Sequence, residues 1–259
     1  MLTDDTNPKA RLSLCRCELH LDLVPLASES RRASRLPIIP VLPRAILELE
    51  LLLSDSSLNL EAVTNVIRND LGLTLQLLRL TARENDGRTD ILSISDLVVL
   101  AGLQRLRAMA AESTSVPTGP RDQSRATPCE RFWMHSRLTA HIAAELATEI
   151  SSVCREEAYL SGMFFHLSSL PSLLNWDMPT KNPGDAICEM AKEWNLPASL
   201  ADVIRGRGDL CRTAESRVLF DLASVANTWA YRLEFLAARE SEWVRAKIPP
   251  HVNRARLEL

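Results

Sequence analysis

The sequence predicts an all-α protein built as two helical lobes, and three observations carry that prediction. Of the 259 residues, 46% are hydrophobic and only 8 are glycine, while leucine and alanine recur throughout, a composition of helices rather than of turn-rich β-structure. From Pro43 onward the apolar residues return at helical spacing. Two tracts, Ser93-x-x-Asp96 and Thr127-Pro-Cys-Glu130, carry the polar signature of a helix start.

Residues 1–35 form an irregular N-terminal extension, in which Leu19-His-Leu-Asp-Leu23 alternates like a short strand. The first lobe, 36–112, begins with a helix bearing Ile46, Leu49 and Leu53 on one stripe. Asn59 then caps a second helix carrying Val63, Val66 and Ile67. Leu71, Leu73, Leu75, Leu77, Leu78 and Leu80 wrap nearly all round a third, which places it in the middle of the lobe. The capping box at Ser93 opens a fourth helix, with Leu97 and Leu100, that reaches a break at Gly102.

Residues 113–126 lack apolar periodicity and hold two prolines and a glycine, the composition of a linker. The second lobe, 127–245, opens where Thr127 can cap, Pro128 can sit at the first helical position and Glu130 can reach back. Further helices are expected near 156–167, 185–195, 198–205 and 214–245, the last with Val218, Leu222, Val225, Trp229, Leu233 and Leu236 on one face. Pro249-Pro250 opens a tail over 246–259, and no 20–50-residue period marks a solenoid.

With 30 basic and 33 acidic side chains, net charge −3, no whole-molecule field would gather a polyanion, so nucleic acid is not the expected partner. Arg31, Arg32 and Arg35 read as a solvated stretch. The cysteines at 15, 17, 129, 154, 188 and 211 form no paired knuckles and read as reduced thiols. No apolar run of about 18 residues crosses a membrane, so the expected location is the cytoplasm. A glycine-rich phosphate loop and a Gly-x-Ser-x-Gly elbow are both missing, and Ser168 and Ser169 read as a helix end before Pro171.

The side chains with chemistry to offer are histidines. On the helix opened by Thr127, His135 shares a face with Leu138, Thr139, Ile142 and Leu146 and points inward, while His141 lies off that face. His166 closes the apolar stretch Ala158-Tyr-Leu-Ser-Gly-Met-Phe-Phe-His166 and is followed by Leu167, which has no donor atom for a metal.

Several tracts together resemble the HDOD family of HD-related output domains. In the first half these are Leu36-Pro-Ile-Ile-Pro-Val-Leu-Pro43, Leu52-Leu-Ser-Asp55, Val66-Ile-Arg-Asn-Asp70, Leu77-Leu-Arg-Leu80 and the run from Ser93 to Arg107. In the second they are Phe132-Trp-Met-His-Ser136, the Ala158–His166 stretch, Trp194-Asn-Leu-Pro197 and Leu222-Ala-Ser-Val-Ala-Asn227. The resemblance spans 36–235 and rests on the order of the tracts.

It implies a second lobe related to the HD phosphohydrolases, in which histidines and aspartates hold metals that activate water against a phosphoester. Carried over, His135 matches the first histidine and His166 the histidine of a His-Asp dyad. Leu167 stands where the dyad aspartate belongs, Asn227 falls near the final aspartate, and Arg207-Gly208 lies where relatives keep paired histidines. Two imidazoles without carboxylates are a poor home for hard Mg²⁺ or Mn²⁺.

The resemblance therefore implies a degenerate metal pocket at His135, His166, Leu167 and Asn227, with no catalytic residue, metal or cofactor. The expected function is that of a bacterial signal-transduction module that works through contacts with protein partners. Two alternatives stand beside it. One is a divergent HD phosphohydrolase acting on a nucleotide phosphoester, its site rebuilt by Asp202, Asp209 or Asp221; the other is a nucleotide-sensing pocket without turnover.

Overall fold

The computed structural model describes residues 39–55, 57–81, 93–116, 127–176, 191, 196–205, 208 and 211–247, with side chains as far as 238. The chain divides into two compact units, Met1–Ser34 and Arg35–Leu259, and every described residue belongs to the second. The strand-like tract 19–23, Cys15 and Cys17, the arginines 31, 32 and 35, the helix expected over 185–195 apart from Ala191, Arg207 and Asp209 lie outside the described residues.

The described fold is all-α. Helices α1 (Pro43–Ser54), α2 (Leu60–Arg68), α3 (Leu71–Thr81), α4 (Ile94–Ala101) and α5 (Leu103–Glu112) form the first group. They are followed by α6 (Pro128–Ala147), α7 (Arg155–Phe164), a 3₁₀ turn (Leu167–Ser169), α8 (Leu170–Leu173), α9 (Ala198–Ile204) and α10 (Ala214–Lys247).

Local chemistry fixes the starts. Asn59 accepts from the Ala62 N–H at 3.1 Å, and Ser93 and Asp96 close a reciprocal box at the head of α4. At α6 the Glu130 N–H donates to Thr127 Oγ1 at 3.2 Å while the Thr127 N–H donates to Glu130 Oε2 at 2.7 Å, with Pro128 in the first turn. Between α4 and α5, Gly102 adopts φ +73°, a region that side chains with a Cβ avoid, so the break falls there.

α3 is the axis of the first group, with Leu71, Leu73, Leu75 and Leu77 all buried. The segment before α1 is pinned to the chain leaving α5: the Val41 N–H donates to the Thr114 carbonyl and the Val116 N–H to the Val41 carbonyl, each at 2.8 Å. Val116, at the head of the tract without periodicity, is 2% exposed in consequence.

One hydrophobic core runs through both groups. Ile67, Leu73, Leu97 and Leu106 from the first are continuous with Trp133, Tyr159, Phe164, Leu167 and Leu170 from the second. A polar seam crosses the same boundary. Arg68 pairs with Glu156 at 3.0 Å and lies 4.2 Å from the centre of the Tyr159 ring, whose hydroxyl donates to the Arg68 carbonyl at 2.7 Å. A smaller core of Ala143, Ala147, Ala158, Val203, Leu219, Leu222, Ala223 and Ala226 joins α6, α7, α9 and α10.

Asp70 ties three elements together from inside. Its carboxylate accepts from the Leu73 N–H at 2.9 Å, at the head of α3, and from the Leu42 N–H at 3.0 Å, ahead of α1. Burial pushes its pKa up to about 6 against the backbone donors that lower it. A raised acid pKa means that the folded state holds the proton more tightly than the unfolded chain. The Asp70 contribution is therefore complete below about pH 4 and is lost as pH rises through about 6, a swing of about 3 kcal/mol. Urea unfolding of the wild type and Asp70→Asn across that window checks this: the stability difference should move against the wild type as pH rises.

Candidate functional site

The site lies where α6, the turn after α7 and α10 meet. α6 presents His135, which is 7% exposed. α7 ends at Phe164, and the chain turns before the 3₁₀ segment, so His166 and Leu167 leave in different directions. His166 turns to the pocket; Leu167, 1% exposed, joins Tyr159, Met163, Phe164 and Leu170 in the main core. α10 supplies Asn227, Tyr231 and Glu234, spaced four and three residues apart and hence on one helical face.

Asn227 is the hub. Its Oδ1 lies 2.8 Å from His135 Nε2 and 2.8 Å from His166 Nε2. The two rings are 5.4 Å apart between centroids, and Tyr231 packs 4.3 Å from His135. On the other side of the His135 ring, Nδ1 lies 3.1 Å from Glu234 Oε1. An amide oxygen only accepts, so in this geometry both Nε2 atoms carry hydrogen and neither offers a lone pair. Glu234, 42% exposed at its side chain, thus holds the outer nitrogen of the His135 ring while Asn227 holds the inner one.

Burial pushes His166 below the ordinary histidine range; the Asn227 hydrogen bond opposes that shift, and neighbouring His135 adds to it. A depressed base contributes stability above its ordinary pKa and loses it as pH falls below.

Among the sequence-derived positions, the structure brings His135, His166 and Asn227 together and sends Leu167 elsewhere. His141 is 3.0 Å from Asn69 Oδ1, away from the site. Asp202 is buried, but Arg205 Nη1 donates to it at 2.6 Å and the Arg212 N–H at 3.0 Å. Asp221 is exposed and sits 3.5 Å from Arg217. Neither aspartate lines the pocket. Glu234 and Tyr231 were missed from sequence, although their spacing from Asn227 places them on its face.

The residues present do not fit a catalytic divalent cation. The point on which both imidazoles converge is taken by Asn227 Oδ1, and the residue that follows His166 is a core leucine with no donor atom. Among the described residues, no group of three or more histidine, cysteine, aspartate or glutamate side chains is arranged for a metal. Beside the histidines opens a pocket of about 370 Å³, whose wall includes Arg131, Phe132, His166, Tyr231 and Glu234.

The sequence matches the HDOD domain family over residues 39–175. Two crystal structures of the MmoQ response regulator from Methylococcus capsulatus str. Bath share the fold. One, of a fragment covering 20–298, is 17% identical with a TM-score of 0.57 over 83% of this chain and 93% of that one. The other is 18% identical with a TM-score of 0.54 over 74% and 86%. No curated protein sequence matches significantly. Among the described residues no helix is long and apolar enough to cross a membrane.

Proposed function

Since the chain belongs to the HDOD family, we propose that it is a non-catalytic regulatory module of a bacterial signalling pathway, acting in the cytoplasm through contacts with protein partners. The observation that carries this reading is Asn227 Oδ1, bonded to both imidazoles so that neither faces an open coordination site. A neutral hydrogen-bond hub rigidifies the junction of α6, α7 and α10 without activating water. The fold it shares with a response regulator agrees with a regulatory role.

Purified protein with added Mg²⁺ or Mn²⁺ should show no turnover of nitrophenyl phosphomonoesters or phosphodiesters. His135→Ala and His166→Ala should each cost about 1–3 kcal/mol of stability through lost hydrogen bonds, read by urea unfolding. Metal-dependent turnover that disappears in either variant would refute the reading and select the phosphohydrolase.

The pocket favours a second reading, that of a nucleotide sensor without turnover. Its size suits a small ligand, and Arg131 on its wall would meet an anionic group. A thermal-shift panel of nucleotides in metal-free buffer separates the two: stabilisation that depends on Arg131 selects the sensor.

A further inference from the structure

α10 carries two rows of apolar side chains. Leu219, Leu222, Ala223, Ala226 and Ala230 are buried and hold the helix to the bundle. Val218, Val225, Trp229, Leu233 and Leu236 form a second row that stays 37% to 54% exposed. At 3.6 residues per turn, their spacing keeps them within an arc of about 80° along about 27 Å of helix, an arc interrupted by the buried Leu222. A row so narrow and straight is the seam of a helix pair rather than the broad face that a globular core requires.

Four of the five positions are symmetric about residue 227; Leu233, six residues after it, has Asp221 and no apolar residue as its counterpart. Val218 and Leu236 lie nine residues to either side, and Val225 and Trp229 lie two. Asp221 and Arg232 flank one edge of the row, six residues before that centre and five after. In an antiparallel two-fold pair the same edge of each helix meets its own copy in reverse, so Asp221 faces Arg232 of the other chain, twice. A parallel pair would carry the two copies of this edge to opposite sides of the seam, where Asp221 and Arg232 could not meet across it.

Both charges are available for this. Asp221 is 61% exposed and engaged only loosely, at 3.5 Å, by Arg217 one turn back. The Arg232 guanidinium rests 5.5 Å from the centre of the Trp229 ring, within the row itself.

We propose that two copies of this chain associate antiparallel along this face of α10, as a two-fold dimer. The exposed row offers on the order of 400 Å² of apolar surface per chain, about half of the ~800 Å² per partner of a standard interface. The stems of the flanking charged residues supply further area. The dimer does not depend on the non-catalytic reading above, because its test uses the purified chain alone.

Sedimentation of the full chain over a micromolar concentration range should give twice the 28.9 kDa chain mass. Trp229→Glu, at a half-exposed position, should keep its thermal unfolding profile and sediment as a monomer. Asp221→Arg and Arg232→Asp should each weaken the dimer about tenfold, since each alters two symmetric contacts. Together the two reversals should return the dissociation constant to within about threefold of wild type. A monomeric wild type overturns the proposal, even if the face then captures another protein. So does a dimer indifferent to Trp229→Glu, or a double reversal weaker than either single one.

Discussion

Leu167→Asp, the substitution that sets a carboxylate directly after His166, should come close to unfolding the protein without creating a metal site. Leu167 is 1% exposed and packs with Tyr159, Phe164 and Leu170 in the main core. Removing the leucine forfeits about 2–5 kcal/mol of packing, and the carboxylate that replaces it has no partner there, which costs several more. The expected loss of at least about 4 kcal/mol is a large share of a typical domain stability of about 5–15 kcal/mol. Urea unfolding reads the loss, and elemental analysis of surviving folded protein should find no bound metal. Because a buried carboxyl stays protonated more readily, the defect should ease on acidification. A stable variant that binds a divalent cation would mean that the turn after α7 can rotate Leu167 and His166 together into the pocket.

Gly162→Leu should be comparably damaging for a steric reason. α7 crosses α6 at Gly162, and a Cβ there would lie 2.7 Å from the Thr139 carbonyl oxygen and 2.8 Å from Ala140 Cα. Both are backbone atoms of α6 and cannot swing aside. Ala140, Ala143, Ala144 and Ala158, all buried, keep the same crossing tight. Even alanine should cost about 1–2 kcal/mol, its better helix propensity only partly offsetting the overlap. Leucine should cost more than about 3 kcal/mol by prising the helices apart. Since α6 carries His135 and the end of α7 leads to His166, the separation should also break the shared bond to Asn227. Thermal unfolding reads the first effect, and imidazole nitrogen NMR shifts read the second.

How far the sequence discloses this arrangement depends on whether the cause is local. The starts of α2, α4 and α6 are legible because a cap is a bond between residues three apart, and Asn59, Ser93 and Thr127 each make it. α3 is legible because leucines on every side of a helix leave it nowhere to go but inside. The end of α7 is less so: apolar residues continue to Leu167, but the helix stops at Phe164, and that turn separates His166 from Leu167. The role of Asn227 as a bond acceptor for two histidines, and the arrival of Glu234 beside one of them, depend on how α10 is rotated against α6. That rotation is set by small residues, Ala223, Ala226 and Ala230, whose burial leaves the larger Trp229 and Leu236 outside. Apolar periodicity marks a face, yet does not say what covers it.

The seam of Arg68, Glu156 and Tyr159 makes the two helical groups poor candidates for separate lives. A fragment ending after α5 would bare the leucines that lean on Trp133 and Phe164, and would leave the Arg68 guanidinium without either its carboxylate or its ring. The complementary fragment would carry the unpaired acid and aromatic. Evolution could reshuffle this protein as a whole cassette, fused before or behind other segments, far more readily than it could trade one half for another.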